Sequence, residues 1–290
     1  MRILVTGGNG QVGARVAENL PGHDVLTVGH AELDIADRDA IEQVVGEFAP
    51  HAIVNPAAIT NVDACERDAD RAFAVNALGA RWLAIAAARV DAHVVHVSTD
   101  YVFDGESSRP YDEWDPVHPI SEYGRSKLAG EREIAAHAPT WAVVRTSWVF
   151  GKRGADIVSW AFGAFDRGEL HGVFADQVSV PTYAPDLAEM LARFAAERRQ
   201  GLYHVTSGDE PASRHELITT ALRARGMDPS EVAPIMQADA DRPAARPPYS
   251  VLDNCALRLG GLPLLRPWRD AVTEYAAGWD HPGSTERTAP

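Results

Sequence analysis

The sequence predicts an α/β protein: a Rossmann-like, doubly wound parallel sheet with a smaller C-terminal α/β lobe. Three observations lead there. Short β-branched runs alternate with longer helical patterns through the first half, a glycine-rich turn follows the first of those runs, and the alternation loses its regularity after Gly151. Strands that alternate with helices make βαβ units, whose crossovers give a parallel sheet. With 290 residues, 46% of them hydrophobic, the chain can bury the core that such a sheet needs.

Taken in order, strands are expected at about 2–6, 24–28, 52–55, 92–98 and 141–146, with helical segments between them. The Ala-rich text from Phe73 to Arg89 belongs to a long helix at about 66–88, and a further helix begins near Pro119. Beyond Gly151 a helix at about 155–168 precedes the apolar run 170–175. Asp186 is expected to cap a helix running toward Arg199, and 202–205 reads as a short strand. Ser213-Arg214-His215-Glu216 is a capping-box sequence that opens a helix ending near Gly226. Prolines crowd 229–267, which reads as an ordered loop region of the C-terminal lobe, with a disordered linker as the alternative. Residues 280–290 read as a tail. The expected division is 1–150 for the first domain and 151–279 mainly for the lobe, with parts at about 170–205 returning to the first domain.

Composition narrows the function. A net charge of −14 argues against a general nucleic-acid binder, so an anionic ligand must find a local pocket of donors. Cys65 and Cys255 have neither CxxC nor zinc-ligand spacing, and read as free thiols in a reducing compartment. His93 and His96 lie in one strand at odd spacing, on opposite faces, so no metal site is expected. The apolar run Arg2-Ile3-Leu4-Val5-Thr6 is too short for a signal peptide, and no stretch approaches the roughly 20 apolar residues of a membrane span. A soluble, cytoplasmic protein is expected, with no membrane partner.

The first strand runs straight into Gly7-Gly8-Asn9-Gly10-Gln11-Val12-Gly13, which fits both a GxxGxxG and a GxGxxG reading. Glycines in this setting allow a tight turn, close approach of backbone to a pyrophosphate, and packing of helix on sheet; the helix start then meets the phosphates. Dinucleotide binding is the reading, against a structural turn. An NAD site wants an acidic residue at the end of the second strand, yet Gly29-His30 stands there, Glu32 and Asp34 come late, and no arginine follows nearby in the sequence to grip a 2′-phosphate. NADPH is the expected cofactor, with NADH tolerated.

Two further features fall at places where chemistry is done. The strand at 92–98 ends in Ser98-Thr99, and carboxyl ends of parallel strands are where ligands sit in such sheets. Tyr123-Gly124-Arg125-Ser126-Lys127 puts a phenol and an ammonium one helical turn apart, in a chain with two lysines against twenty-five arginines. A phenol with a pKa near 10 exchanges protons poorly at neutral pH unless a fixed cation stabilises its anion. By itself the pair better fits a buried tyrosine beside a solvated lysine; the glycine loop and the strand-end hydroxyl turn it toward catalysis.

These residues resemble the extended short-chain dehydrogenases/reductases, and within them the dTDP-4-dehydrorhamnose reductases. The resemblance is carried by Asn55-Pro56-Ala57-Ala58-Ile59-Thr60-Asn61-Val62-Asp63, by Ser98-Thr99-Asp100-Tyr101-Val102-Phe103-Asp104-Gly105, by Tyr123 and Lys127, and by Gly130-Glu131. It continues through Arg145-Thr146-Ser147-Trp148-Val149-Phe150-Gly151, Asp176-Gln177 with Pro181-Thr182, and Arg246-Pro247 with Ser250, covering roughly 1–275. It implies NAD(P)H-dependent reduction of the 4-keto group of a dTDP-6-deoxyhexose, the last step toward dTDP-L-rhamnose, by a dinucleotide-binding domain with a substrate-binding lobe. Thr99, Tyr123 and Lys127 would be catalytic. Gly7, Gly10, Gln11, Val12, Gly13, Asp34, Ile35, Ala57, Ala58, Thr60 and Ser98, with Tyr123 and Lys127, would hold the cofactor. Asp100, Tyr101, Trp148, Gln177, Thr182 and Arg246 would meet the sugar nucleotide, Arg246 at its diphosphate.

The match departs from the family at Ser179, usually glycine, and at Pro56 and Ile59, usually alanine and tyrosine. Arg15 stands where some members carry a glutamate that binds magnesium at a dimer interface, so metal-linked dimerisation is not expected; a homodimer is left open. Rival readings are a sibling reductase of another dTDP-keto-sugar, a 4-epimerase, and a non-catalytic dinucleotide-binding regulatory subunit.

Overall fold

The computed structural model describes residues 1–151, 156–208 and 210–279; the tail expected at 280–290 and the first residue of the helix expected from 155 lie outside them. In the first half, β1 (Arg2–Val5) leads through the short α1 (Gly13–Val16) to β2 (Asp24–Thr27), and α2 (Arg38–Phe48) leads to β3 (Ala52–Asn55). The chain then runs through α3 (Val62–Arg67), α4 (Ala69–Phe73), a π-helical turn (Ala74–Leu78) and α5 (Gly79–Arg89) to β4 (His93–Thr99), and through α6 (Glu122–His137) to β5 (Thr140–Thr146). The second half holds β6 (Val149–Phe150), α7 (Ile157–Asp166), β7 (Gly172–Phe174), β8 (Val178–Ser179), β9 (Thr182–Tyr183), α8 (Ala184–Glu197) and β10 (Gly201–His204). It ends with β11 (Ala212–Ser213), α9 (Arg214–Ala224), β12 (Ala233–Ile235), α10 (Cys255–Leu259) and α11 (Trp268–Ala277).

Six strands form one parallel sheet in the order β10-β5-β4-β3-β1-β2. Successive residues of β1 feed opposite faces, which is why the strand reads as a continuous apolar run. Ile3 and Val5 join Leu187, Leu191 and Phe194 of α8 on one face, while Leu4 joins Ile41, Leu83 and Ile134 of α2, α5 and α6 on the other. The chain leaves β1 first toward β2 and then returns to β3 on its other side. That reversal opens a crevice at the carboxyl ends of β1 and β3. A separate core of Phe162, Leu217, Trp268 and Tyr275 holds the lobe formed by α7, α9 and α11.

Three expectations are refined. The helix foreseen at 66–88 is broken: Asp68 caps α4 by accepting the Arg71 N–H, and the π turn swings Asn76 inward to bond both Ile59 backbone groups and the Ser126 hydroxyl. Asp186 does not cap α8, which starts two residues earlier with Pro185 in its first turn; Asp186 instead accepts from Arg266 Nε at 2.8 Å. The proline-dense segment is ordered, since β12 pairs with β7 and Tyr249 bridges to Val178.

Candidate active site

The glycine loop closes on itself. Gly7 adopts φ +61°, where a side chain is strained, and a Cβ there would press the Ala57 backbone at 3.0 Å. A Cβ on Gly13 would run into the Gly7 carbonyl, which itself accepts the Gly10 N–H at 2.8 Å. A backbone this bare is a cradle that a pyrophosphate fits, at the mouth of a cavity of about 500 Å³. The loop contributes Gly7, Gly10, Gln11, Val12 and Gly13 to its wall; β3 is followed by Ala58 and Thr60, β4 ends in Ser98 and Thr99 with Asp100 next, and Tyr123, Trp148 and Arg214 also line it.

Ser121 caps α6 by accepting the Gly124 N–H, which sets Tyr123 in the first turn and Lys127 one turn later. Lys127 is buried behind that wall, its Nζ donating to the Val97 carbonyl at 2.7 Å and lying 3.4 Å from His96 Nε2. Burial lowers its pKa to about 8, against the pull of Glu131. Burial drives the Tyr123 phenol well above its ordinary value, and its hydrogen bond with Thr99 draws it back. Tyr101 packs edge-on to Tyr123, ring centres 5.7 Å apart.

Thr99 Oγ1 donates to Asp100 Oδ1 at 3.0 Å and accepts the Tyr101 N–H at 3.2 Å. Asp100 Oδ2 accepts from Ser250 at 2.5 Å and from Ser179 at 3.5 Å. Burial raises the Asp100 carboxyl to about 6 in spite of those hydroxyls. The departure at Ser179 thereby has a use: its hydroxyl ties the Ser250 carbonyl and Asp100 together. Ser98, by contrast, turns its hydroxyl inward to Glu131 at 2.6 Å, and Glu131 takes both ends of the buried Arg145 fork at 2.8 and 2.7 Å.

The residues expected to meet the sugar nucleotide are more scattered. Trp148 lines the cavity at φ +42°, a left-handed conformation that costs a side chain roughly 1–2 kcal/mol. Arg214 lies 4.3 Å above its ring and donates from Nε to Gln177 Oε1 at 2.5 Å. Thr182 is buried in β9 and gives its backbone N–H to the Trp148 carbonyl. Arg246 is forked onto Asp63 at 2.9 and 2.7 Å. Asp34 accepts from Arg71 at 3.2 Å; burial raises its carboxyl, but the Ala36 N–H and Arg71 together hold it below the usual range. Ile35 is buried against Gly79. Tyr101, Gln177, Thr182, Arg246, Asp34, Ile35, Ala57 and Lys127 are not among the residues that line the cavity.

Sequence reading missed two of these cations. Arg214 sits inside a capping box and reads there as part of a helix start, although Ser213 does cap α9. Arg71, on α4, reaches Asp34 from 37 residues away. Arg15 is half-buried and paired with Glu18 at 3.5 Å. Among the described residues no group of three or more His, Cys, Asp and Glu side chains is placed to hold a metal, and no helix is long and apolar enough to cross a membrane.

Comparison with known proteins agrees with this geometry. The family model for the RmlD substrate binding domain matches residues 1–280. A dTDP-4-dehydrorhamnose reductase of Mycobacterium tuberculosis is 38% identical over 299 residues, covering 100% of this chain and 97% of the relative. A probable dTDP-4,6-dihydroxy-2-methyloxan-3-one 4-ketoreductase of Streptomyces antibioticus is also 38% identical, covering 94% of each chain. The crystal structure of dTDP-4-dehydrorhamnose reductase from Bacillus anthracis in complex with NADP superposes with a TM-score of 0.92 at 35% identity, over 96% of this chain and 99% of that one. The chain belongs to the RmlD family, that of the dTDP-4-dehydrorhamnose reductases.

Proposed function

We propose that this protein is an NADPH-dependent oxidoreductase that reduces the 4-keto group of a dTDP-6-deoxyhexose, taking dTDP-4-dehydro-L-rhamnose to dTDP-L-rhamnose. The observation that carries the reading is that the glycine loop, Thr99 and Tyr123 line one cavity, with Lys127 directly behind. When bound, the nicotinamide cofactor supplies the hydride. Tyr123 delivers a proton to the oxygen of the sugar carbonyl as it becomes an alkoxide, Thr99 shares a hydrogen bond with that oxygen, and Lys127 holds positive charge near the phenol and the cofactor ribose. Residues 1–150 serve the dinucleotide and 151–279 mainly the sugar nucleotide, with parts at about 170–205 returning to the first domain, a return supported by β10 pairing with β5.

Arg214, Arg242 and Arg246 support a substrate with a diphosphate. They lie close enough that burial, then Arg246 and Arg214, push the Arg242 pKa down, and Arg214 and Arg246 both act on Tyr101. Such mutual repulsion is relieved by a doubly charged anion. Arg71 beside Asp34 supports NADPH over NADH. The Streptomyces antibioticus relative supports a sibling dTDP-keto-sugar reductase as second reading. A cytoplasmic setting, which keeps a thiol such as Cys65 reduced, belongs to the same proposal.

The test is oxidation of NADPH and NADH with dTDP-4-dehydro-L-rhamnose and with alternative dTDP-keto-sugars. The rhamnose precursor is expected to be turned over fastest. Faster turnover of another keto-sugar transfers the assignment to the sibling, and no oxidation with any of them refutes catalysis in favour of a dinucleotide-binding regulatory protein.

A further inference from the structure

His96 is a buried histidine that the mechanism above leaves without a task. Its Nε2 lies 3.4 Å from Lys127 Nζ, and its Nδ1 lies 3.0 Å from the Asn55 side-chain amide. The other end of that amide meets the Thr6 hydroxyl at 2.6 Å, and Thr6 is the residue before Gly7. A chain of side chains, each no more than 2% exposed, therefore links the lysine across β4 and β3 to the base of the glycine loop.

Counting hydrogens fixes how the chain runs. An ammonium has donors and no acceptor, so beside a charged Lys127 the Nε2 atom must accept. A neutral imidazole then carries its one hydrogen on Nδ1. Burial, and after it the charge of Lys127, hold the ring neutral by keeping its pKa well below the ordinary value. Nδ1–H in turn needs an acceptor, which Asn55 provides when its amide oxygen faces the ring and its NH2 faces Thr6, an exchange that leaves the outline of the amide unchanged. With the amide NH2 toward the ring, the imidazole hydrogen would sit on Nε2, donor against donor.

We propose that His96 is a positioning residue for the catalytic lysine: its Nε2 accepts a hydrogen bond from the Lys127 ammonium and keeps that nitrogen charged and seated against the Val97 carbonyl. The inference rests on Tyr123 and Lys127 being the catalytic pair. Around this contact α6 presents Tyr123, Lys127 and Glu131, and β5 presents Arg145, which is bound to Glu131; β3 and the π turn present the neutral Asn55 and Asn76.

The sign of the test follows from the lysine. Its ammonium is present below a pKa of about 8 and is lost above it, so loss of an acceptor moves that limit downward. His96→Leu is expected to shift the alkaline limb of kcat down by about one pH unit, the roughly tenfold change expected of one hydrogen bond to a charged group. His96→Gln, whose side-chain oxygen reaches the place of Nε2, is expected to restore the limb, and His96→Asn, which replaces the Nδ1 side, is not. An unmoved limb in a folded His96→Leu protein, or an equal loss of kcat at every pH, overturns the proposal. Should that variant not fold, nitrogen-15 NMR of the intact protein decides: a hydrogen on Nδ1 is expected, and a hydrogen on Nε2 overturns it. If the unaltered protein turns over no keto-sugar, the substrate reading fails, while the pH dependence of NADPH binding and the tautomer still test His96.

Discussion

On the sheet side of the cavity the titratable groups are buried and held by few partners, whereas on the lobe side three arginines crowd around Tyr101. Lys127 rests on one carbonyl and one imidazole; Arg214 rests on an aromatic face, an amide oxygen and the Tyr101 hydroxyl, and both it and Arg246 repel Arg242. Desolvation on the first side shifts proton affinities, raising that of the Tyr123 phenol and lowering that of Lys127. Accumulated like charge on the second side leaves proton affinities of little use and favours an incoming anion. On the proposed reading, one wall serves the reacting atoms and the other holds the molecule that carries them.

The largest expected effect tests the sheet side. Tyr123→Phe removes the proton donor while keeping the ring that packs on Tyr101, so kcat should fall about a thousandfold, within the usual range for general acid catalysis. The Kd for NADPH, measured by fluorescence titration, should stay within about twofold. Retained turnover would erase the contrast between the two walls, because proton delivery would then come from elsewhere.

A second expectation sets the buried ion pair under the sheet side against the half-open pair under the lobe side. Glu131→Gln strips Arg145 of its partner at a place where the side chains are 8% and 4% exposed, and should destabilise the fold by about 3–5 kcal/mol in urea unfolding. Asp63→Asn breaks the pair with Arg246, at 26% and 10% exposure, where water supplies part of the loss, and should cost about 1 kcal/mol. Equal losses would show that the two sides do not differ in desolvation after all.

The same contrast governs how much of the molecule was legible in its sequence. The glycine loop, the strand-end Thr99 and the Tyr123–Lys127 pair are local patterns, set by a turn, a strand end and one helical turn, and each is found on the element its spacing put it on. The lobe side is assembled from residues with no local relation: Asp63 meets Arg246 across 183 positions, and Gln177 meets Arg214 across 37. Ser98 and Asp100 show the limit at shorter range. Strand-end position placed both hydroxyl and carboxylate at the cavity, but it carried no sign that Ser98 turns toward Glu131 or that Asp100 is gripped by Ser250, 150 residues on. The broken helix before α5 was illegible because Asn76 gains its partners from Ile59 and Ser126.

The smallest effect sharpens the lobe side from within. Arg246 already has a carboxylate on both of its outer nitrogens, whereas Arg214 meets the neutral Gln177 amide and Tyr101 hydroxyl, with a ring beneath it. An anion entering the cavity therefore finds Arg214 the less committed of the two, and Arg214 alone of them lines the wall. Arg214→Gln should raise the KM for the sugar nucleotide about tenfold, the value of one charge-assisted hydrogen bond, with a smaller change in kcat. Arg246→Gln should raise it less, since the arginine must first be shared with Asp63. Steady-state kinetics at fixed, saturating NADPH separate the two: a larger KM effect at Arg246 would mean that the diphosphate displaces Asp63, and that the fork observed here is a resting contact which substrate binding breaks.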